Sequence, residues 1–260
     1  MKIAFIGAGA MGGAMVKGFL QSEFFQPHDV MVSDHNQSVL DCFAAQGAQV
    51  SLDNKEAVKN ADIVCVVVKP WHVEKTLKGI KDVMDYQKQM LMVVAAGVPS
   101  TDIKQWMDKE GQTPVVYLVM PNIAIAYKAS MTFIAPVDAS EEQDKLVASI
   151  FNGLGETLFM EESYFPAATT MSCATAYAMR YVRAGMEAGV QLGFKAKVSQ
   201  KIVQQIIKGA VELLQATGEH PEAAIDKVTT PNGLTIRGLN MMEQEGFTNA
   251  VIKGILAGKK

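Results

Sequence analysis

The first residues whose spacing could do chemistry are Gly7-Ala8-Gly9-Ala10-Met11-Gly12. They follow the β-type run Ile3–Ile6 and open an amphipathic segment. This Gly-x-Gly-x-x-Gly pattern therefore sits in the strand–turn–helix context that a dinucleotide pyrophosphate requires. Gly7 permits the tight turn, Gly9 leaves no side chain between backbone and pyrophosphate, and Gly12 lets helix and strand pack closely. Ala10 and Met11 start the helix, whose free N–H groups and positive dipole end would meet the phosphates. A glycine-rich turn that binds nothing is the competing reading, and the context weighs against it. The second β-type run ends in Val32-Ser33-Asp34. A carboxylate there is placed to accept hydrogen bonds from the adenosine ribose hydroxyls, and it would repel a 2′-phosphate. No arginine follows, only His35 and Asn36, so NADH is slightly favoured over NADPH; a simple turn aspartate is the alternative.

Positioning such a site takes alternating strands and helices. Lys2–Ile6, Val30–Ser33, Ile63–Val68, Met90–Ala95, Val115–Val119 and Met131–Ala135 read as strands, with a further one near Thr157–Met160. Several are nearly unbroken apolar runs, as strands buried on both faces of a parallel sheet require. Helices are predicted over Met11–Gln21, Val39–Gln46 and Asp102–Glu110. This is the pattern of an α/β, doubly wound Rossmann sheet over residues 1–162. From residue 163 to 260 the chain reads as an all-helical domain. One long helix is predicted over Ala168–Leu192, a second over Ser199–Thr217 with Ser199 as N-cap, and a last over Thr248–Leu256. The first of these is apolar around most of its circumference and needs burial on more than one side. Packing of the helical parts of two subunits into a homodimer, or a higher homo-oligomer, answers that need; burial against the Rossmann domain is the other solution.

The net charge of −3 gives no general attraction to nucleic acid or anionic membranes. Cys42, Cys65 and Cys173 show no Cys-x-x-Cys or metal-ligand spacing, so reduced thiols in the cytoplasm are expected, with no metal. Strand pattern begins at once, leaving no room for a signal peptide, and the longest apolar run, Ile63–Val68, is too short to span a bilayer.

Further segments fall in a recognisable order: Val68-Lys69-Pro70, Ala95-Ala96-Gly97, Met120-Pro121-Asn122, His220-Pro221 and Val228-Thr229-Thr230-Pro231-Asn232-Gly233-Leu234-Thr235-Ile236-Arg237-Gly238-Leu239. Together with the glycine turn they resemble the pyrroline-5-carboxylate reductases, over essentially the whole chain. The resemblance implies NAD(P)H-dependent reduction of the cyclic imine 1-pyrroline-5-carboxylate to L-proline, on a Rossmann domain followed by a helical dimerisation domain. It places Asn54 near the adenosine end of the coenzyme, Lys69 and Pro70 beside the nicotinamide ribose, and Ala96 and Gly97 near the nicotinamide. It gives the Thr230–Thr235 loop to the substrate carboxylate and ring nitrogen. Departures lie mostly in the substrate half. Ser172–Tyr177 replaces the family's Gly-Ser-Gly-Pro-Ala-Tyr, and Ile123-Ala124 replaces its Thr-Pro. Thr230 stands for its serine, Asn232 for its first loop glycine and Leu234 for its first threonine; Leu118 stands where an arginine is common.

Once its nitrogen is protonated, an imine carbon accepts hydride without a strong general base, so the protein's task is positioning. Gly233 and its neighbours can offer backbone N–H groups to a carboxylate. Thr230 and Thr235 can add hydroxyls, with Thr235 the candidate partner of the ring nitrogen. Bracing of the loop is the alternative role for both threonines. Lys69 reads as a coenzyme-edge residue. A β-hydroxyacid dehydrogenase would need a catalytic lysine one turn from an asparagine in the helical part, and Ala168–Leu192 holds neither. Two other readings stay open: a related Rossmann oxidoreductase acting on another small imine or carbonyl acid, and a catalytically silent nucleotide-binding regulatory protein.

Overall fold

The computed structural model describes residues 1–258. They divide into two compact units, one of residues 1–172 and one from Cys173 onward. In the first, β1 (Ile3–Ile6) leads into α1 (Ala10–Leu20), β2 (Val30–Ser33) into α2 (Gln37–Ala44) and β3 (Gln49–Ser51) into α3 (Asn54–Val58). Next, β4 (Ile63–Val66) leads into α4 (Pro70–Ile80) and β5 (Met90–Val93) into α5 (Ser100–Met107). β6 (Val115–Met120), β7 (Ser130–Val137), α6 (Glu141–Asn152), β8 (Gly155–Phe159) and α7 (Phe165–Ser172) complete the unit.

The strands form one sheet in the order β3-β2-β1-β4-β5-β6-β7-β8. From β3 to β6 every neighbour is parallel, and Ile3 lies opposite both Val30 and Ile63. Successive residues of a strand face opposite sides, so an apolar run must meet an apolar layer on each side. Ile3, Phe5, Ile63, Cys65 and Met92 bury against Met15, Val16 and Phe19 of α1 and Ile150 and Phe151 of α6. Ala4, Ile6, Val64, Val66, Leu91 and Val93 bury against Val73, Leu77 and Ile80 of α4 and Ile103 and Met107 of α5. Phe19 is edge-on to Phe5 and Phe151, with ring centroids 5.1 and 5.7 Å apart.

The sheet is not parallel throughout. β7 runs antiparallel to β6, and β8 runs with β7. Between Met120 and Ser130 the chain makes only the 3₁₀ turn Ile123–Tyr127, with Lys128 left-handed at φ 57°. A parallel crossover needs a connection of about a dozen residues or more, so this link reverses the strand. The short β3 has no sequence signature, because only Ser51 of its three residues is buried.

In the second unit the elements are α8 (Ala174–Gln191), α9 (Ala196–Thr217), α10 (Pro221–Lys227), α11 (Leu234–Gln244) and α12 (Phe247–Leu256). Two expectations are corrected here. The helix expected over Ala168–Leu192 is two helices, broken at Cys173. There Ala176 N–H bonds back to the Cys173 carbonyl at 3.0 Å, an i→i+3 turn that interrupts the α ladder. Ser199 is not an N-cap: α9 begins at Ala196, and the Ser199 hydroxyl donates to the Met186 carbonyl of α8 at 2.9 Å. At 1% exposure, Ser199 is a buried lock between the two helices. No residue of α8, α11 or α12 is buried, and Tyr181, Met179, Ile206 and Ile252 are all exposed.

Gln89, 5% exposed, is a polar staple in the first unit. Its amide nitrogen donates to the carbonyls of Val58 and Ala61 at 2.7 and 2.6 Å, and its oxygen accepts from Asp85 N–H at 2.7 Å. Gln89→Leu strands the Ala61 carbonyl and the Asp85 N–H, leaves the Val58 carbonyl only its bond from Ala61 N–H, and is expected to cost about 2–4 kcal/mol of stability in urea unfolding. A loss below about 1 kcal/mol would mean that water or relaxation satisfies those groups.

Candidate active site

The turn after β1 is set by close backbone contact. Gly7 adopts φ +94°, its N–H donates to the Ser33 carbonyl at 2.8 Å, and a Cβ on it would lie 2.4 Å from the Val67 carbonyl oxygen. A Cβ on Gly12 would lie 2.0 Å from the Gly7 carbonyl oxygen, so α1 can pack here only through a residue with no side chain. Gly9 differs: a Cβ there meets no atom within 4 Å. The first and last glycines are demanded by the fold; the middle one leaves space open to a ligand.

That space is a groove of about 1000 Å³ at the carboxyl ends of β1 to β5. It spans the point between β1 and β4 where the strand order reverses, the usual ligand crevice of an open α/β sheet. Gly7, Gly9, Ala10, Met11, Gly12, Asp34, Asn54, Lys69, Pro70 and Ala96 all line it. Gly97 does not; it turns the chain just beyond Ala96 at φ +74°.

The helix ends separate into two kinds. Asn36 caps α2, Asp53 caps α3, and Ser140 with Gln143 forms a capping box on α6. Glu162 caps α5 from 62 residues away: its carboxylate accepts from Ser100 N–H at 2.8 Å and from the Ser100 hydroxyl. By contrast α1 and α4 begin at Gly9 and Lys69 with no side-chain cap. Both uncapped ends line the groove; the first N–H groups of α1 remain available to an anion, whereas at α4 Pro70 has no N–H and His72 N–H donates to the Lys69 carbonyl at 2.8 Å. An extended diphosphate fits this arrangement, since open space at Gly9 adjoins the uncapped N-terminus of α1.

Asp34 is already engaged. One carboxylate oxygen accepts from Ala8 N–H at 2.7 Å and the other from Asn36 N–H at 2.9 Å, which ties the glycine turn to the end of β2. Its side chain is 9% exposed, whereas that of His35, whose Nδ1 lies 3.4 Å away, is 98% exposed. Asn54 accepts from the Ser33 hydroxyl at 2.7 Å and is thereby oriented beside the same strand end.

Other groove residues escape sequence reasoning. Leu52, Asp53 and Lys55 follow β3, which has no pattern of its own. His72, Lys75, Thr76 and Gly79 stand at i, i+3, i+4 and i+7 and form one polar stripe of α4. That spacing was a readable signal for a helix face turned to a ligand.

Thr230, Gly233 and Thr235 come together in the second unit. Gly233 N–H donates to the Thr230 carbonyl at 2.9 Å, closing a turn in which Asn232 takes φ 56°. Gly233 then starts α11, again with no side-chain cap. Thr235 is the second residue of that helix and is exposed, as is Thr230; Leu234 before Thr235 is 86% exposed.

Comparison with known proteins meets this geometry from both ends of the chain. The family model "Pyrroline-5-carboxylate reductase dimerisation" matches residues 162–260, and "NADP oxidoreductase coenzyme F420-dependent" matches residues 2–97. A pyrroline-5-carboxylate reductase of Methanosarcina acetivorans is 33% identical over 97% of this chain and 94% of its own length. The chain belongs to the pyrroline-5-carboxylate reductase family. Pyrroline-5-carboxylate reductase 1 of Dictyostelium discoideum is 35% identical over 98% of the chain, which spans 48% of that longer protein. The crystal structure of a Plasmodium falciparum pyrroline carboxylate reductase with NADP bound has the same fold. Its TM-score is 0.88 at 23% identity, covering 99% of this chain and 95% of that one. Asn232 takes the left-handed backbone that glycine adopts most easily, which fits the glycine that the resemblance leads one to expect there.

Gly9→Ala is expected to leave the melting temperature unchanged while weakening dinucleotide binding about tenfold or more, read by coenzyme fluorescence titration. Unchanged binding would remove the pyrophosphate from this turn.

Proposed function

We infer that this protein reduces 1-pyrroline-5-carboxylate to L-proline with NAD(P)H, a step of proline biosynthesis. The observation that carries the reading is the presence in one chain of two glycine-led, uncapped helix starts, those of α1 and α11, in different settings. One lies in a dinucleotide groove; the other, at Gly233, follows a turn flanked by threonine hydroxyls.

The coenzyme supplies the hydride. Gly9 and the N–H groups that open α1 hold its diphosphate, and Lys69, Pro70 and Ala96 with Gly97 shape the nicotinamide end. The N–H groups that open α11, with the Thr230 hydroxyl, take the substrate carboxylate. Thr235 Oγ1 meets the ring nitrogen and holds the proton there, so that the neighbouring carbon is electrophilic when hydride arrives. A Cβ on Gly233 would sit 2.4 Å from Thr230 Oγ1 and 2.9 Å from the Thr230 carbonyl oxygen, so a side chain there would displace the hydroxyl and press on the turn.

Either reduced nicotinamide dinucleotide is proposed to serve. The Asp34 oxygens each already accept from a backbone amide, and the exposed polar groups at that end of the groove, His35, Asp53 and Lys55, include both an acid and a base. We further propose a coenzyme-binding part over residues 1–162 and a dimerising part over 163–260. The exposed Tyr181, Met179, Ile206 and Ile252 support a homodimer through the helices. No described helix is long and apolar enough to cross a membrane, and Cys42 and Cys65 are free thiols, which fits a reducing cytoplasm. A second reading, reduction of another small imine or carbonyl acid, draws on exposed Leu234, an apolar group beside the loop.

The first test is loss of reduced-nicotinamide absorbance with 1-pyrroline-5-carboxylate, NADH and NADPH in parallel. Saturable oxidation is expected; turnover only with other imines or carbonyl acids would favour the second reading. Thr235→Ala is expected to lower kcat about 10- to 100-fold, as loss of one charge-assisted hydrogen bond implies, and to leave coenzyme affinity unchanged. An unchanged kcat would take Thr235 out of the mechanism.

A further inference from the structure

The turn at residues 230–233 contains an apparent weakness. Asn232 lies at φ 56°, in the left-handed region that favours glycine and that a residue with a side chain enters at a cost. The shape of the turn depends on that conformation. The 2.9 Å bond from Gly233 N–H to the Thr230 carbonyl closes around it, and the first N–H groups of α11 take their direction from the same turn.

One side chain compensates. Arg237, in the first half of α11, folds back over the turn. Its Nη2 donates to Asn232 Oδ1 at 2.8 Å, and to the Asn232 carbonyl oxygen at 3.4 Å. Among the described residues Arg237 forms no ion pair, so these are its directional contacts. The guanidinium thus bridges side chain and backbone of the residue whose conformation is least favourable. It links that residue to the helix whose N-terminus is offered to the substrate.

We propose that Arg237 is a positioning residue: it holds Asn232 left-handed, and so keeps the 230–233 turn and the α11 N-terminus in the shape that receives the substrate carboxylate. The proposal rests on the function given above for that loop. Asparagine at 232 and arginine at 237 then act as one unit, replacing the conformational freedom that a glycine at 232 would supply.

A double-mutant cycle tests this on the full-length protein: Arg237→Ala, Asn232→Gly and the double variant, with Arg237→Lys as a charge-keeping control. In the parent background Arg237→Ala is expected to raise KM for 1-pyrroline-5-carboxylate about tenfold, with KM for NAD(P)H and kcat changed less than about twofold. Arg237→Lys lacks the planar fork and is expected to behave like Arg237→Ala. In the Asn232→Gly background, Arg237→Ala is expected to change that KM by less than about twofold relative to its own parent. The same rise in both backgrounds would overturn the proposal, because Arg237 would then act on the substrate directly. Full rescue by lysine would overturn it too, as the mark of simple charge attraction, and so would no rise at all.

Amide hydrogen exchange across residues 229–236 without substrate gives a readout independent of turnover. Faster exchange in Arg237→Ala than in the parent is expected, and equal exchange would overturn the bracing role. If the parent fails to turn over this imine, the function reading falls and hydrogen exchange alone still decides whether Arg237 braces the loop.

Discussion

The first unit depends on one backbone crossing. Gly12 of α1 lies so close to the Gly7 carbonyl that a Cβ would come within 2.0 Å of it, and Gly7 itself turns against the Val67 carbonyl beyond β4. Three pieces of chain meet there with no side chain between them. That contact fixes the direction in which α1 leaves β1, so its N-terminus points across the carboxyl ends of the strands. The groove, its uncapped N–H groups and the open space at Gly9 follow from the same crossing. So does the register that seats Phe19 against Phe5.

Such a crossing survives only on a rigid sheet. Burial of both faces supplies rigidity, because β1, β4 and β5 each send alternate residues into two separate apolar layers. Polar links then tie the covering helices down. Tyr117, fully buried in β6, donates its hydroxyl to Asp144 of α6 at 2.8 Å, and burial pushes its phenol pKa well above the ordinary value. Glu162 seats the start of α5, next to the Ala95–Gly97 turn, and Gln89 closes the chain between α3 and β5. In this unit a side chain occupies the starts of α2, α3, α5 and α6, whereas the starts of α1 and α4 carry none.

In the second unit α11 also starts without a side-chain cap, on a weaker frame. Few of its side chains are buried, and its α8–α9 contact is locked by the Ser199 hydroxyl on a backbone carbonyl. Its exposed tyrosines, methionines and isoleucines form a surface suited to a partner helix. The loop before α11 is held by local bonds, which is why the residue at position 232 and its partner five residues on carry so much of its shape.

The sequence alone determined what short-range physics dictates. The glycine spacing and the unbroken apolar runs of β1, β4 and β5 are each set within a few residues, so the Rossmann half was legible. The helical character of the second half was legible for the same reason. Tertiary structure decided everything that depends on a distant partner. Ser199 reads as a cap until Met186 stands beside it. Asp34 stands at a strand end in the sequence, and only the fold brings the amides of Ala8 and Asn36 to its oxygens. Nothing in the sequence marks Gln89 as buried, and only the fold brings its three backbone partners to it. A polar side chain carries the same donors and acceptors in any fold, and only the arrival of other segments determines which of them it satisfies.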